Sequence, residues 1–365
     1  MIGIFGKVST ETAMIAAFAF IMALAVSFAA TPVVRILAKR VGAIDVPRDN
    51  RRMHKVPIPR MGGLAIFFGF ITSVLCFGTI NSQMKAILLG ASVLIVLGII
   101  DDIKALPASF KLVVQIIAAL IPALNGVRAY NIANPFVSYD YIHLGAFAIP
   151  FTVIWIVGII NAVNFIDGLD GLAVGISSIA SFSLLIIAAM VSESYVVIIM
   201  AALAGSCIGF MPFNMNPAKI FMGDTGSMFL GYILAVMSVQ GMFKFYAVVT
   251  FAVPFIILGL PILDTAFAII RRLMKGQSPF AADRGHVHHR LIDMGFDQKQ
   301  TVAILYALSA VLGLSAVLLT TSGEAKFIIL VLAVAIAVFF GLTVFAYDVK
   351  KEREQEKDKN DDKKD

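Results

Sequence analysis

Long apolar runs, each near the length that crosses a bilayer, restrict the fold of this chain more than any other feature. A hydrocarbon core about 30 Å thick needs roughly 20 apolar residues in a helix that rises about 1.5 Å per residue. With 59% hydrophobic and 14% charged residues, the chain is predicted to be an all-α, polytopic integral membrane protein with about 11 transmembrane helices. The runs lie at 12–38, 62–80, 85–100, 110–127, 147–162, 169–191, 195–213, 227–241, 245–270, 301–319 and 327–347.

The basic residues lie mostly in loops on one side of the predicted membrane region. An eleven-helix arrangement leaves only five of the 29 Lys and Arg residues on the other side. The positive-inside rule assigns the basic side to the cytoplasm, so we expect the N-terminus outside and the C-terminus inside. The first run is too long for a signal-peptide core and ends without a small-residue cleavage site, so it is expected to remain as a helix.

The remaining charge and cysteine patterns exclude other classes of protein. The net charge of +6 comes from bases beside membrane helices, where they meet anionic headgroups, so it does not indicate a nucleic-acid partner. Cys76 and Cys207 lie inside apolar runs, and we expect no disulfide. Residues 1–347 are predicted to form the membrane domain, and 348–365 a charged, disordered cytoplasmic tail. No Walker or GxGxxG loop occurs, so a nucleotide must be held in another way.

Adjacent carboxylates, Asp101 and Asp102, close the third run at its cytoplasmic end, where the helix dipole disfavours negative charge. They indicate a metal, base or nucleophile site, although a helix end in water beside Lys104 is the alternative. Lys111 follows at the start of the fourth run and could reach a phosphate over the same surface, or be an interfacial lysine.

A second polar motif, NAVNFIDGLDG at 161–171, lies between two runs. It places Asn161, Asn164, Asp167 and Asp170 three residues apart, a spacing that stacks side chains on one helical face. Four oxygen-bearing side chains suit a hard cation and a polyhydroxylated ligand. Caps and helix breakers are the alternative explanation.

A third motif, NMNPAKIFMGDTGS at 214–227, precedes the eighth run and contains Asp224 between Gly223 and Gly226. The glycines allow close approach of a ligand, and free amides at the helix start attract anions. Asp224 would offer a carboxylate to a cation bound with those anions. A helix start capped by Ser227 is the alternative.

A histidine-rich loop follows the ninth run and contains Arg284, His286, His288 and His289. No cysteine is near, so phosphate binding is favoured over zinc. The first cytoplasmic loop adds Arg51, Arg52, His54, Lys55 and Arg60, whose charge topology or substrate binding would each explain.

An acid within an apolar run is a functional candidate by default, and Asp264 is such an acid in the ninth run. Arg271, near the end of the same run, is its candidate partner.

Taken together, the motifs resemble the polyprenyl-phosphate N-acetylhexosamine-1-phosphate transferase family. The DD pair, NxxNxxDGxDGLA, NPAxxFMGDTGS and DRxHxHHRL occur in the family's order between about residues 51 and 291. The histidines read His286-Val-His288-His289, which is similar to the undecaprenyl-phosphate GlcNAc-1-phosphate transferases. The phospho-MurNAc-pentapeptide transferases have consecutive histidines at this place.

The resemblance implies an α-helical fold with a cytoplasmic active-site cleft, a lipid groove, and Mg2+ (or Mn2+) on the donor diphosphate. It implies Asp224 as the firmest metal ligand, with Asn164 and Asp167 as further candidates, and Asp101 and Asp102 as the catalytic pair. Substrate binding would fall to Lys111, Asn161, Asp170, Asn214, Arg284, His286, His288 and His289, and with weaker alignment to Lys55 and Arg60.

The implied activity is transfer of GlcNAc-1-phosphate from UDP-GlcNAc to undecaprenyl phosphate in a bacterial plasma membrane, as the first membrane step of a cell-envelope glycopolymer pathway. Two alternatives stay open: another donor such as UDP-MurNAc-pentapeptide, and a secondary ion-coupled transporter. The acids at run ends on one face argue against alternating access. Direct attack and a covalent aspartyl-phosphate on Asp102 also stay open, as does a homodimer.

Overall fold

The computed structural model describes residues 8–47, 56–133, 141–191, 193–241, 248–274, 276 and 285–320, with short pieces between 328 and 339. The helices are α1 Thr10–Val41, α2 Gly63–Phe77, α3 Ser82–Ile103, α4 Ala108–Leu124, α5 Ala148–Ile166, α6 Leu172–Met190, α7 Ser194–Asn214, α8 Gly223–Gly241, α9 Val248–Ile257, α10 Gly259–Met274, α11 Val287–Asp293 and α12 Gln298–Thr320. Lys55, Arg284, the tail and most of the eleventh predicted run lie outside the described residues.

Extended structure in the described ranges is limited to two short antiparallel pairs. Strand β1, Ile44–Asp45, pairs with β2, Ile58–Pro59, between α1 and α2. Strand β3, Asn131–Ala133, pairs with β4, Tyr141–His143, between α4 and α5. The prediction of an all-α, multi-pass membrane protein is confirmed.

Six helices, α1, α3, α5 with its preceding 3-10 turn, α6, α7 and α12, are long and apolar enough to cross a membrane, and α2 and α4 are shorter apolar helices. Each of the first eight predicted runs corresponds to one helix. The ninth run instead forms two helices, α9 and α10, because Pro261 has no N–H to bond the carbonyl of Ile257, where α9 ends. The count of eleven membrane crossings stays a prediction.

Helix α1 is bounded by ordinary capping residues and is longer than a bilayer core requires. The Ser9 side chain accepts a hydrogen bond from the Thr12 amide, and the helix ends at Gly42, whose φ of 78° closes it in the left-handed conformation. Its 32 residues span roughly 48 Å, against about 30 Å of hydrocarbon. The ends of α1 therefore extend into the headgroup regions.

Helix α8 lies at the centre of the bundle and packs against α2, α3 and α5. Glycines permit close approach at its start: a Cβ on Gly63 of α2 would meet the Gly226 backbone, and one on Gly98 of α3 would meet the Thr225 backbone. On the other side of α2, helix α1 packs against α7. The ends of α2, α3 and α8 are thus brought together at one end of the bundle.

Backbone hydrogen bonds join the first loop to the segment before α8. The Phe221 amide donates to the Pro59 carbonyl at 2.8 Å, and the amides of Gly62 and Gly63 donate to the carbonyls of Phe221 and Met222 at 2.9 and 2.8 Å. Arg60 is therefore held beside the start of α8.

The contact between α2 and α8 predicts that Gly63→Ala destabilises the protein, because a methyl group there overlaps the Gly226 backbone. We expect a loss of about 2 kcal/mol, typical of overpacking. Gly158→Ala in α5 is the matched control, since nothing lies within 4 Å of the added methyl group. Thermal unfolding in detergent measures both variants. Equal midpoints for the two would contradict the close packing.

Candidate active site

Lys111 joins two carboxylates from different helices. Its Nζ lies 3.1 Å from Asp101 Oδ2 on α3 and 2.9 Å from Asp224 Oδ2 on α8. The Leu106 amide also donates to Asp101 Oδ1 at 2.7 Å, which fixes the turn between α3 and α4. An ammonium group has three donors, and two of them are used here. The three side chains, which the sequence predicted at separate positions, form one cluster.

Asp102 caps the start of α8 from a neighbouring helix. Its carboxylate accepts from the Asp224 amide at 3.0 Å, the Thr225 amide at 3.1 Å and the Thr225 hydroxyl at 2.6 Å. Its side chain is only 1% exposed, and Arg60 Nε lies 3.9 Å away. Both carboxylate oxygens are thus occupied by the amides that begin α8, where an anion is favoured by the helix dipole.

Two local features make room for this cap. Gly223 has a φ of 71°, and a Cβ there would collide with the Asp102 carboxylate, so glycine is required. Ser227, which the sequence offered as an alternative N-cap, lies inside α8. Its hydroxyl donates to the Gly223 carbonyl at 3.2 Å and accepts from Asn164 at 2.7 Å.

The three-residue spacing from Asn161 to Asp170 does not place all four side chains on one helical face, because α5 ends at Ile166. Asn161 donates to Gln115 at 2.7 Å, which joins α5 to α4 inside the bundle. Asn164 instead contacts α8 through Ser227. Asp170 accepts from the Asn216 side chain at 2.9 Å and the Ala218 amide at 3.0 Å, so it holds the segment before α8.

Asp167 lies in the turn after α5, within electrostatic range of Asp224, Asp102 and Asp170. Burial raises the pKa of Asp167 to about 8, and the negative charge of Asp224 adds to the rise, while Arg60 opposes it. The charges of Asp102 and Asp170 raise the pKa further. Asp167 is therefore largely protonated at pH 7 when no cation lies beside it, and a bound cation would favour its ionised form.

The donor atoms of this cluster fit a hard divalent cation that also binds substrate. Within the ranges the structure describes, no group of three or more His, Cys, Asp or Glu residues is arranged to enclose a metal. Mg2+ usually takes one or two protein carboxylates together with substrate phosphates and water. Asp224 and Asp167 provide carboxylates, and Asn164 keeps its amide oxygen as an acceptor when its nitrogen donates to Ser227.

Asp264 is bound to the histidine-rich segment. Its Oδ2 lies 2.8 Å from His286 Nδ1, and its Oδ1 accepts from the Val287 amide at 2.8 Å. The carboxylate is 3% exposed. The expected partner, Arg271, lies against Gly285. Because a carboxylate only accepts, the hydrogen of the shared bond resides on His286 Nδ1.

His288 packs beneath the turn that contains Asp167. Its ring stacks on His286 with an angle of 8° between planes, and a Cβ on Gly168 would collide with it. Burial lowers the pKa of His288 to about 3, with the nearby His289 adding to the shift, so the ring is neutral at pH 7. Neither ring nitrogen has a hydrogen-bond partner among the described residues. His288 therefore packs against this turn as a neutral ring.

Other predicted residues lie in or beside this cluster. Asn214 is buried and donates to the Ile220 carbonyl at 3.0 Å, which closes the turn before α8. A cavity of about 380 Å³ adjoins Asp170. Its other walls include Met215, Asn216, Gln298, Lys299 and Tyr306. Asn216 and Gln298 were not predicted, because polar residues at loop and helix ends carry no distinct sequence signal.

Removal of the Asp102 cap is expected to destabilise the fold. Asp102→Ala leaves the buried amides of Asp224 and Thr225 without an acceptor, which costs about 3 kcal/mol. Asp101→Ala is the neighbouring control. It should lower the free energy of unfolding by less, because Lys111, its partner, is more exposed than the amides that Asp102 caps. Thermal unfolding of the two variants in detergent measures the difference. Wild-type stability in Asp102→Ala would contradict the capping role.

Comparisons with known proteins agree with this geometry. The family model described as glycosyl transferase family 4 matches residues 84–242, which include Asp101, Asp102, Lys111 and Asp224. The chain is 40% identical over 328 residues to the probable undecaprenyl-phosphate N-acetylglucosaminyl 1-phosphate transferase of Bacillus subtilis, covering 89% of this chain and 91% of that protein.

Two further relatives come from other bacteria. The decaprenyl-phosphate N-acetylglucosaminephosphotransferase of Mycobacterium tuberculosis is 34% identical over 310 residues, covering 77% of this chain and 76% of that protein. The undecaprenyl-phosphate alpha-N-acetylglucosaminyl 1-phosphate transferase of Thermotoga maritima is 33% identical over 290 residues, covering 79% and 86%. This chain therefore belongs to glycosyl transferase family 4, as a polyprenyl-phosphate N-acetylhexosamine-1-phosphate transferase.

Proposed function

We propose that the protein transfers GlcNAc-1-phosphate from UDP-GlcNAc to undecaprenyl phosphate, releasing UMP, on the cytoplasmic face of a bacterial plasma membrane. The observation that carries the proposal is the Lys111 ammonium held between Asp101 and Asp224 at the start of α8. The names of the three relatives support GlcNAc-1-phosphate and a polyprenyl phosphate as the transferred group and acceptor. The product, undecaprenyl-diphospho-GlcNAc, would begin a cell-envelope glycopolymer.

Charge neutralisation is the main task of such a site. A donor diphosphate and an acceptor phosphate repel each other, by about 4 kcal/mol per pair of unit charges at 4 Å and an effective dielectric constant of 20. Lys111 has one donor left for a phosphate oxygen after its two ion pairs. Arg60, with a side chain 36% exposed, lies on the other side of the capped helix start and adds a second cation.

Mg2+, with Mn2+ as an alternative, would be held by Asp224, with Asp167 and Asn164 as further ligands. When bound, it would neutralise the diphosphate and fix its orientation. The raised pKa of Asp167 supports this assignment, because it reports carboxylates crowded in a poorly hydrated place. Without a cation these carboxylates would repel the donor.

The acceptor needs little help to become a nucleophile. The second pKa of a phosphate monoester is about 6, so undecaprenyl phosphate is largely a dianion at pH 7. One of its oxygens forms a bond to the β-phosphorus of UDP-GlcNAc. The anhydride bond between the β-phosphorus and the bridging oxygen breaks, and its electron pair leaves with UMP. Positioning and electrostatic stabilisation then supply the rate enhancement.

The capping role of Asp102 argues for direct attack. A nucleophilic carboxylate needs a free oxygen that can reach the phosphorus, whereas both oxygens of Asp102 accept hydrogen bonds and its side chain is 1% exposed. We therefore assign Asp102 as a positioning residue for Asp224. Asp101 instead contacts Lys111, the cation that would bind a substrate phosphate.

The histidine-rich segment would complete the donor site. Asp264 fixes the ring orientation and tautomer of His286, and it also holds the first amide of α11. His289 and Arg284 belong to the same segment and would contact donor phosphates. His288 would support the turn that contains Asp167, because its ring packs directly against Gly168.

Purified protein supplied with undecaprenyl phosphate and Mg2+ should consume UDP-GlcNAc and leave UDP-MurNAc-pentapeptide unchanged. Asp224→Asn should lower kcat at least about 100-fold, because removal of one metal-anchoring charge weakens transition-state stabilisation. Glu11→Gln, an exposed acid at the far end of α1, is the control and should keep full turnover. UMP release measures all reactions. Preference for the pentapeptide donor would overturn the substrate assignment, and full activity of Asp224→Asn in EDTA would overturn the metal site.

A double-mutant cycle tests whether Asp264 acts through His286. Asp264→Asn and His286→Ala should each lower kcat/KM for UDP-GlcNAc about tenfold or more, as expected for one charge-assisted hydrogen bond. The double variant should be no worse than His286→Ala alone. Multiplicative losses would show that Asp264 acts independently of the histidine, and unfolding midpoints of all three variants would identify a loss of the fold.

A further inference from the structure

A basic cavity lies away from the carboxylate cluster, between α1 and α7. Its volume is about 330 Å³. Its walls are Pro32, Arg35, Ile36, Lys39, Phe213 and Lys219. Half of these side chains are apolar and half are cationic, and neither the metal site nor the donor site uses any of them.

The cavity is at the boundary between hydrocarbon and headgroups. Lys39 lies in the last turn of α1 and Arg35 one turn earlier, in a helix whose roughly 48 Å length exceeds the hydrocarbon core. The neighbouring side chains Val33 and Ile36 are 66% and 56% exposed, as expected of a surface that faces acyl chains. The apolar wall and the charged wall thus meet at the depth where a lipid changes from chain to phosphate.

Among the described residues, the positive charges of the cavity have no acidic partner. Across the part of the chain that the structure describes, no carboxylate pairs with Arg35, Lys39 or Lys219. Arg35 Nε is also shielded from solvent and has no hydrogen-bond partner there. A shielded donor and three cations without an acidic partner in the described ranges, all around one cavity, indicate an anionic ligand.

We infer that this cavity binds the headgroup of an anionic glycerophospholipid of the cytoplasmic leaflet. The phosphate would lie among Arg35, Lys39 and Lys219, and an acyl chain would run over Ile36 and Phe213. Basic pockets between membrane helices on the cytoplasmic side commonly take such headgroups.

The acceptor lipid is a poorer match for this cavity. Its phosphate must reach Lys111 on α4, which packs against α3 and α5, whereas α1 packs against α2 and α7. A phosphate held by α1 is therefore on another side of the bundle from the reacting groups.

A lipid at this place would also act on the segment that leads into the active site. Lys219 lies five residues before Asp224, and Phe221 in between is hydrogen-bonded to Pro59. A phosphate bound to Lys219 would join this segment to the end of α1, and so restrict the motion of the loop before α8.

The test is lipid binding to the full-length protein by native mass spectrometry, with phosphatidylglycerol and phosphatidylcholine of identical acyl chains. Phosphatidylglycerol should be retained at least about tenfold more tightly. Lys39→Gln and Lys219→Gln should each remove most of that difference. Arg40→Gln is the matched control, because it removes the same charge from the next position of α1 but does not line the cavity. Unfolding midpoints confirm that the variants fold.

Three outcomes would overturn the inference. If Arg40→Gln and Lys39→Gln lowered phosphatidylglycerol retention equally, the lipid would be held by the general positive charge of the surface and not by this cavity. Equal retention of the two phospholipids would exclude recognition of headgroup charge. Displacement of phosphatidylglycerol by equimolar undecaprenyl phosphate or by inorganic phosphate would assign the cavity to the acceptor or to a free anion. The readout does not involve turnover, so it is independent of the proposed reaction.

Discussion

The hydrogen bonds between the Asp102 carboxylate and the first amides of α8 hold the active end of this bundle together. They fix the end of α3 against the start of α8, and they set the backbone of Asp224 itself. Lys111 then pairs with both Asp224 and Asp101, the residue that precedes Asp102. Glycines at 63, 98 and 223 allow these backbones to approach. In a membrane, where unsatisfied amides are costly, a cap from a neighbouring helix supplies both stability and position.

The same arrangement crowds carboxyl groups at one end of the bundle, which supports the proposed cation-bridged diphosphate. Asp224 and Asp102 each raise the pKa of the buried Asp167, whereas Arg60 lowers it. A divalent cation and a donor diphosphate would bring opposite charges to the site together. We therefore propose that these carboxylates act together on a cation, in place of acting as independent catalytic acids.

Sequence patterns predicted the site's members more reliably than their contacts. Apolar runs predicted nine helices directly, α1 to α8 and α12, because hydrophobic length is a local property. The ninth run is divided at Leu258, because Pro261 has no amide hydrogen for the carbonyl of Ile257. Asp264 was recognisable as a buried acid, but its partner, His286, lies 22 residues along the chain and became evident only from the packing. The three-residue spacing from Asn161 to Asp170 predicted one helical face. Helix α5 ends at Ile166, however, so only the two asparagines lie on the helix. Long-range pairs such as Asp102 with Thr225 leave no periodic signal.

We propose direct attack of the lipid phosphate on UDP-GlcNAc, because both oxygens of the Asp102 carboxylate are occupied as a cap. Enzyme mixed with labelled UDP-GlcNAc and Mg2+, but without undecaprenyl phosphate, distinguishes the two routes in a rapid-quench experiment. Direct attack predicts no UMP beyond background and no label retained on the protein until the lipid is added. A burst of UMP stoichiometric with enzyme, accompanied by sugar phosphate bound to the protein, would contradict it.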